Sequence, residues 1–341
     1  MTGVGTNIAA NDYNNIYNTI APILGTASTG YGQAVQSSQV ATAATITVGQ
    51  WNALETDITA MFWHQLNSAP SPALTHATNL IKIREDDRAK YLLMAQALAN
   101  PNPTSVNSVS YPGCYTIPPL GQTTSPISGT FPIVSTRGTR WGGTTSGPVV
   151  ESNIPTVTHT TQLVWPSAAA AQYFFNSGGV VTFSASRSGG TTTTKNTSWT
   201  TLLATTNTVT FSYSGCSSAG AGDGTSYGWS WFNANLNTAS IQVFSNSLGA
   251  SGTALYAPNK YNILVSIDAA GKALTFACQF QDLSNSTTEN LYKNTPGNIF
   301  DIDEDIDGTL TSTLNIKYAS GSYVSASTYL PSPVLVTSIG P

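Results

Sequence analysis

Asp301, Asp303, Glu304, Asp305 and Asp307 gather five of the chain's 16 acidic side chains into one turn, where like charges repel unless a cation or hydrogen-bond donors relieve them. The order Asp303, Asp305, Asp307, Gly308 repeats the first half of a calcium loop, in which alternate carboxylates converge on one hard cation and the glycine permits a sharp turn. Position twelve of such a loop is Leu314 instead of the closing Glu, and Thr309 opens a strand instead of a helix. Asp303, Asp305 and Asp307 are therefore candidate ligands of a loosely held Ca2+ ion, with a solvated acidic turn as the alternative. Tyr227, Trp229 and Trp231 form a second constellation, beside a glycine-rich loop that begins at Gly215. Aromatics so placed can stack on sugar rings. Strand alternation would put Trp229 and Trp231 on one sheet face, where they would fill a core or a subunit interface.

Other catalytic chemistry is thin. His64, His76 and His159 are the only histidines, and none stands at metal-ligand spacing from another His or from a Cys. Gly224-Thr225-Ser226-Tyr227-Gly228 matches the nucleophile-elbow pattern, but that elbow needs a downstream His and the last one is upstream. Gly220, Gly222 and Gly224 are followed by no phosphate-loop Lys. Cys114, Cys216 and Cys278 are too few and too widely spaced for a disulfide framework, and read as reduced, buried thiols. Glu151, Asp223, Asp268 and Glu289 could act as a hydrolytic carboxylate pair only if the fold happened to bring two together. The chain reads as no enzyme.

The surface explains that reading further. With 12 Lys plus Arg and 16 Asp plus Glu in 341 residues, only 8% of the chain is charged, against about 25% in an ordinary soluble domain. A basic footprint for nucleic acid is missing, as is the net charge that keeps a disordered chain expanded. The chain instead carries 49 Thr and 39 Ser. A surface of hydroxyls barely responds to salt or pH and suits a packed assembly. No stretch approaches the roughly 20 apolar residues of a membrane span, and the start MTGVGTNIAAND lacks a secretory signal's basic and apolar regions, which predicts a protein made in a cytoplasm.

Three regions would position these residues. Residues 1–100 carry helical periodicity. Asn11 can cap a helix through Tyr13, Ile16, Ile20 and Ile23, with Gly25 as a left-handed stop. Thr47 and Gln50 form a capping box before Trp51, Leu54, Ile58 and Met61. A charged helix runs from about Asn79 to Leu98. Residues 101–155, dense in Pro, Gly and Ser, read as an extended arm or linker. Residues 156–341 alternate with the period of strands. Their clearest hairpin joins Tyr261–Asp268 to Ala273–Asp282 across Gly271, Ser167 caps a short helix from Ala168 to Phe175, and a last strand runs from Thr309 to Tyr318. The fold class is α+β, mainly β: a small helical N-terminal docking module, a proline-rich connection and an antiparallel β-sandwich C-terminal domain.

Several segments resemble virion structural proteins of large tailed phages infecting marine cyanobacteria. They are Ala9 through Asn11-Asp12-Tyr13-Asn14 to Ile20 with Leu24-Gly25-Thr26, Tyr31-Gly32-Gln33 to Val40, Ile46 to Asn52, Tyr173 to Gly179, Phe183 to Gly190, Gln279 to Leu283, and Asp303 to Thr313. Residues 66–160 are largely outside the resemblance. It implies a particle component without catalytic residues, located in the virion and partnered by its own copies and other virion proteins. The expected place is a tail, baseplate or fibre appendage; a head decoration or neck protein and a carbohydrate-binding module that attaches to host surface glycans are the alternatives.

Overall fold

In the computed structural model, residues 8–66, 69–71, 73–81, 83–98, 109–111, 115–117, 127–142, 156–249, 256–284, 291–295, 298–301, 305–319 and 324–339 are described. Cys114, Glu151, Glu289, Asp303 and most of the proline-rich stretch lie outside them. The chain is α+β and divides into two compact units, each discontinuous in sequence: 1–129 with 169–179 and 318–330, and 130–168 with 180–317 and 331–341.

The first unit is built on helices α1 (Ala10–Leu24), α2 (Val48–Leu66) and α3 (Glu85–Leu98). The capping box of α2 is formed: the Gln50 N–H donates to Thr47 Oγ1 at 3.2 Å, and the Thr47 N–H to Gln50 Oε1 at 2.9 Å. Trp51, Leu54, Ile58 and Met61 then fall on one buried face, and Trp51 meets Tyr13 of α1 at 5.9 Å and Tyr91 of α3 at 4.8 Å. Two boundaries differ from expectation. The cap of α1 is Ala9, whose N–H donates to the Asp12 carboxylate at 3.2 Å, and Gly25 ends the helix at φ −82°, outside the left-handed region. The charged helix starts at Glu85, because the Thr78 hydroxyl closes a tight turn over residues 78–81 and Asp87 accepts from the Arg84 N–H at 3.0 Å. Its charges largely pair locally, Arg88 with Glu85 and Lys90 with Asp87. A hairpin of β1 (Val109–Tyr111) and β2 (Tyr115–Ile117) and most of α4 (Ala168–Asn176) complete this unit. The α4 segment is tied in by Asn176 Nδ2, which donates to the Ser28 and Gly30 carbonyls at 3.1 and 2.9 Å.

The second unit is a sandwich of two antiparallel sheets. Its strands are β3 (Ile127–Arg137), β4 (Thr156–Val164), β5 (Val180–Ser188), β6 (Val209–Phe211), β7 (Cys216–Ser218), β8 (Asp223–Gly224), β9 (Ile241–Ser247), β10 (Lys260–Ile267), β11 (Ala273–Gln281), β14 (Thr309–Ala319) and β15 (Ser332–Ile339), while β12 (Leu291–Thr295) and β13 (Asn298–Asp301) pair separately. One sheet has the order β15-β4-β11-β10-β9-β8 and the other β3-β14-β5-β6-β7. The hairpin β10/β11 has the expected facing pairs, Ile263 with Cys278, Val265 with Phe276 and Ile267 with Leu274. Gly271 turns it at φ +66°, and the Asp268 carboxylate accepts the Lys272 and Ala273 N–H groups. Between the sheets Phe276 meets Phe183 at 5.2 Å and Phe211 at 5.4 Å, all three buried, so alternation on both layers fills one core. The strand at 309–319 is not the last, since β15 adds to the edge beside β4, where Pro333 needs no ladder partner on its outer side. Helix α5 (Thr194–Thr206) joins β5 to β6, and α6 (Trp229–Ala234) precedes β9.

Candidate functional site

Asp307 follows the isolated bridge between Ile306 and Trp141, beside a left-handed Gly308 at φ +85°. Its carboxylate is enclosed by donors. Asn196 Nδ2 reaches Oδ1 at 2.6 Å, Arg187 Nη2 reaches it at 3.0 Å, and the Thr191 N–H and hydroxyl bond both oxygens at 3.0 to 3.1 Å. Burial opposes ionisation here, but the Thr191 amide and hydroxyl, the Asn196 amide and the Arg187 guanidinium outweigh it and hold the carboxyl below its ordinary range. The side chain thus fastens the β5–α5 loop to the start of β14. Asp305 is half-buried two residues away, and Asp303 lies outside the described residues. Among the described residues no three His, Cys, Asp or Glu side chains converge as a cation site requires.

Of the aromatic constellation, the structure brings together only two members. Tyr227 and Trp231 are half-buried and face each other at 4.8 Å with planes inclined by 49°, whereas Trp229 is 1% exposed and packs on Trp165 at 6.2 Å. The shared sheet face expected for Trp229 and Trp231 is absent because both lie on α6, where residues two apart point to different sides. The nearby glycines serve close backbone contact: a Cβ on Gly228 would stand 2.6 Å from the Ser212 and Tyr213 carbonyl oxygens. This packing accounts for the elbow-like Gly224 to Gly228 run.

The described cysteines and histidines are buried or paired. Cys216 and Cys278 are free buried thiols whose pKa values burial pushes up to about 12. His76 is on the surface and its Nδ1 lies 2.7 Å from Glu55. His64 packs on Tyr31 at 4.8 Å, and burial lowers its pKa to about 4. His159 Nδ1 lies 2.5 Å from Ser312 Oγ inside the sandwich, and burial, then the Arg137 charge, lowers its pKa to about 4. His159 Nε2 has no hydrogen-bond partner among the described residues.

No family model, curated protein or solved structure matches the chain significantly. The geometry must therefore carry the functional reading by itself. Sequence reasoning missed one pair with chemical potential: Lys195, fully buried in the first turn of α5, has its Nζ 2.7 Å from Asp282 Oδ2, just beyond β11. No local signal could have found it, since the partners approach only when the two sheets pack. No helix among the described residues is long and apolar enough to cross a membrane.

Proposed function

We propose that the chain is a non-enzymatic structural protein of a tailed-phage virion, a tail, baseplate or fibre component whose binding comes from packed area. One observation carries the reading: several of the scarce ionisable groups are used as internal fastenings, and hydroxyls cover exposed helix surface. Asp57, 1% exposed, accepts the Gln36 and Ser37 N–H groups and the Ser37 hydroxyl, while Asp307 and the Lys195–Asp282 pair fasten loops of the sandwich. Helix α5 shows how the surface is made. The hydroxyls of Thr197, Thr200, Thr201 and Thr205 face outward yet donate to carbonyls four residues back, so that the helix is covered by uncharged groups already bonded to it. Such a surface loses little charge solvation when a neighbouring subunit covers it. The resemblance to phage virion proteins supports the same reading.

In the helical unit, Leu80 is 94% exposed and Ile81 half-exposed on the turn held by Thr78. This apolar tip is the first contact to test, in line with assembly through the N-terminal region. Replacing Leu80 by Lys leaves the buried core untouched. The expected result is a folded variant that competes poorly with the wild-type chain for incorporation into particles, measured by peptide mass spectrometry of purified virions. Equal incorporation removes Leu80 from the interface, and absence of the wild-type chain from purified virions overturns the whole reading.

A second reading has its own observation. The half-exposed Tyr227 and Trp231 rings could stack on a sugar ring of a host glycan. Glycan-array binding lost in Trp231→Ala would favour it, and binding unaffected by that change would remove it.

A further inference from the structure

The Lys195–Asp282 pair sits in surroundings that do not suit two charges. Lys195 is 0% exposed and Asp282 2% at the side chain. Trp199 follows Lys195 by one helical turn, and Phe280 of β11 lies two residues before Asp282. Trp199, Phe280 and Trp141 are all buried and converge, with ring centroids 4.8 Å apart for Trp141 and Trp199, 6.4 Å for Trp199 and Phe280, and 6.5 Å for Trp141 and Phe280. Gly142 closes the wall beside Trp141: a Cβ there would stand 2.6 Å from Asp282 Oδ2. Ser284 supplies the polar element, its hydroxyl donating to Asp282 Oδ1 at 2.5 Å.

We propose that Lys195 Nζ and Asp282 Cγ join in an intramolecular isopeptide bond. Reaction begins with one proton passing from Nζ to Oδ2 across the 2.7 Å contact, a transfer that removes both buried charges. The neutral amine carries the lone pair that attacks Cγ. Ser284 polarises the Cγ–Oδ1 bond and stabilises the charge that develops on Oδ1 as the tetrahedral carbon forms. The Nζ–Cγ bond forms, the Cγ–Oδ2 bond breaks, and one amine proton leaves with the Oδ2 hydroxyl as water. No redox partner or further reactant is needed. Two buried charges become one neutral amide, and enclosure keeps the reacting atoms in place for as long as the domain stays folded.

The bond would have a structural consequence. Lys195 follows β5 of the five-stranded sheet, and Asp282 follows β11 of the six-stranded sheet, so one amide would lock the two layers covalently. A reducing environment would not open it, unlike a disulfide. The inference is independent of the particle assignment and stands or falls by mass.

Intact-mass measurement of the purified, folded full chain is the test. The expected denatured mass is about 18 Da, one water, below that of the sequence, with a branched tryptic peptide joining the Lys195 and Asp282 segments. The double variant Lys195→Met, Asp282→Leu removes both reacting groups without leaving a lone buried charge, and should show the full mass with the same circular dichroism. Ser284→Ala should slow the mass change in freshly refolded protein. Full mass in folded wild-type chain after prolonged incubation overturns the proposal, and so does a water loss that fragmentation places elsewhere.

Discussion

Lowering the pH from 7.5 to 5 should destabilise the sandwich through one side chain, His159. Its ring is 3% exposed, Nδ1 is occupied by Ser312 Oγ, and Nε2 has no hydrogen-bond partner among the described residues, so an added proton would create a buried charge with no acceptor. Burial, with the Arg137 charge adding to it, lowers the pKa from 6.5 to about 4. Between those values the unfolded chain binds the proton and the folded chain does not. The stabilisation is therefore fully present above pH 6.5, falls as the pH drops toward 4, and changes no further below that. For a drop of that size, linkage gives a loss of about 2 kcal/mol by pH 5 and about 3 kcal/mol below pH 4. Urea unfolding at pH 7.5, 6 and 5, followed by tryptophan fluorescence, measures it. His159→Gln retains a hydrogen-bonding group for Ser312 but cannot titrate, and should lose about 2 kcal/mol less than the wild type over this range. Parallel losses in the two proteins would refute the reasoning.

Asp307→Ala should cost about 2–3 kcal/mol, because it leaves Arg187, Asn196 and Thr191 without their shared acceptor, and thermal melts of the wild type should coincide in calcium and in chelator. Gly190→Ala should cost about 1–3 kcal/mol in the same assay: the residue sits at φ +74°, and its Cβ would press on Asp307 and come within 2.7 Å of the Gly308 nitrogen. Phe276→Ala should lower sandwich stability by about 3–5 kcal/mol in urea, since it opens a cavity between Phe183 and Phe211 at the centre of both sheets.

Elements whose signals are local were legible in the sequence. Thr47 and Gln50 specify the start of α2 between themselves, and the alternation around Gly271 fixes both the β10/β11 pairing and its register. The Ser177-Gly178-Gly179 run likewise marks the end of α4, with Gly178 at φ +91°. The misplaced features depend on distant partners or on competing periods. Tyr227, Trp229 and Trp231 alternate like a strand, yet six residues of helix suffice to turn Trp229 inward and leave Trp231 half-exposed. Pro333 hid β15, because a proline is tolerated only on an edge and sequence does not show where edges fall. At the acidic turn the sequence shows Asp307 but not its donors, since Arg187, Thr191 and Asn196 lie more than a hundred residues upstream. Lys195 and Asp282 were invisible as a pair for the same reason.

The central claim, that this chain is a structural part of a virion, is tested most directly by imaging. Gold-labelled antibody against the chain, applied to intact purified particles of the virus that encodes it and viewed by electron microscopy, should mark the tail, baseplate or fibres at a fixed number of sites per particle. Label confined to the head would move the chain to a decoration or neck position, and particles that carry no chain, by label or by immunoblot of the dissociated virion, would contradict the account.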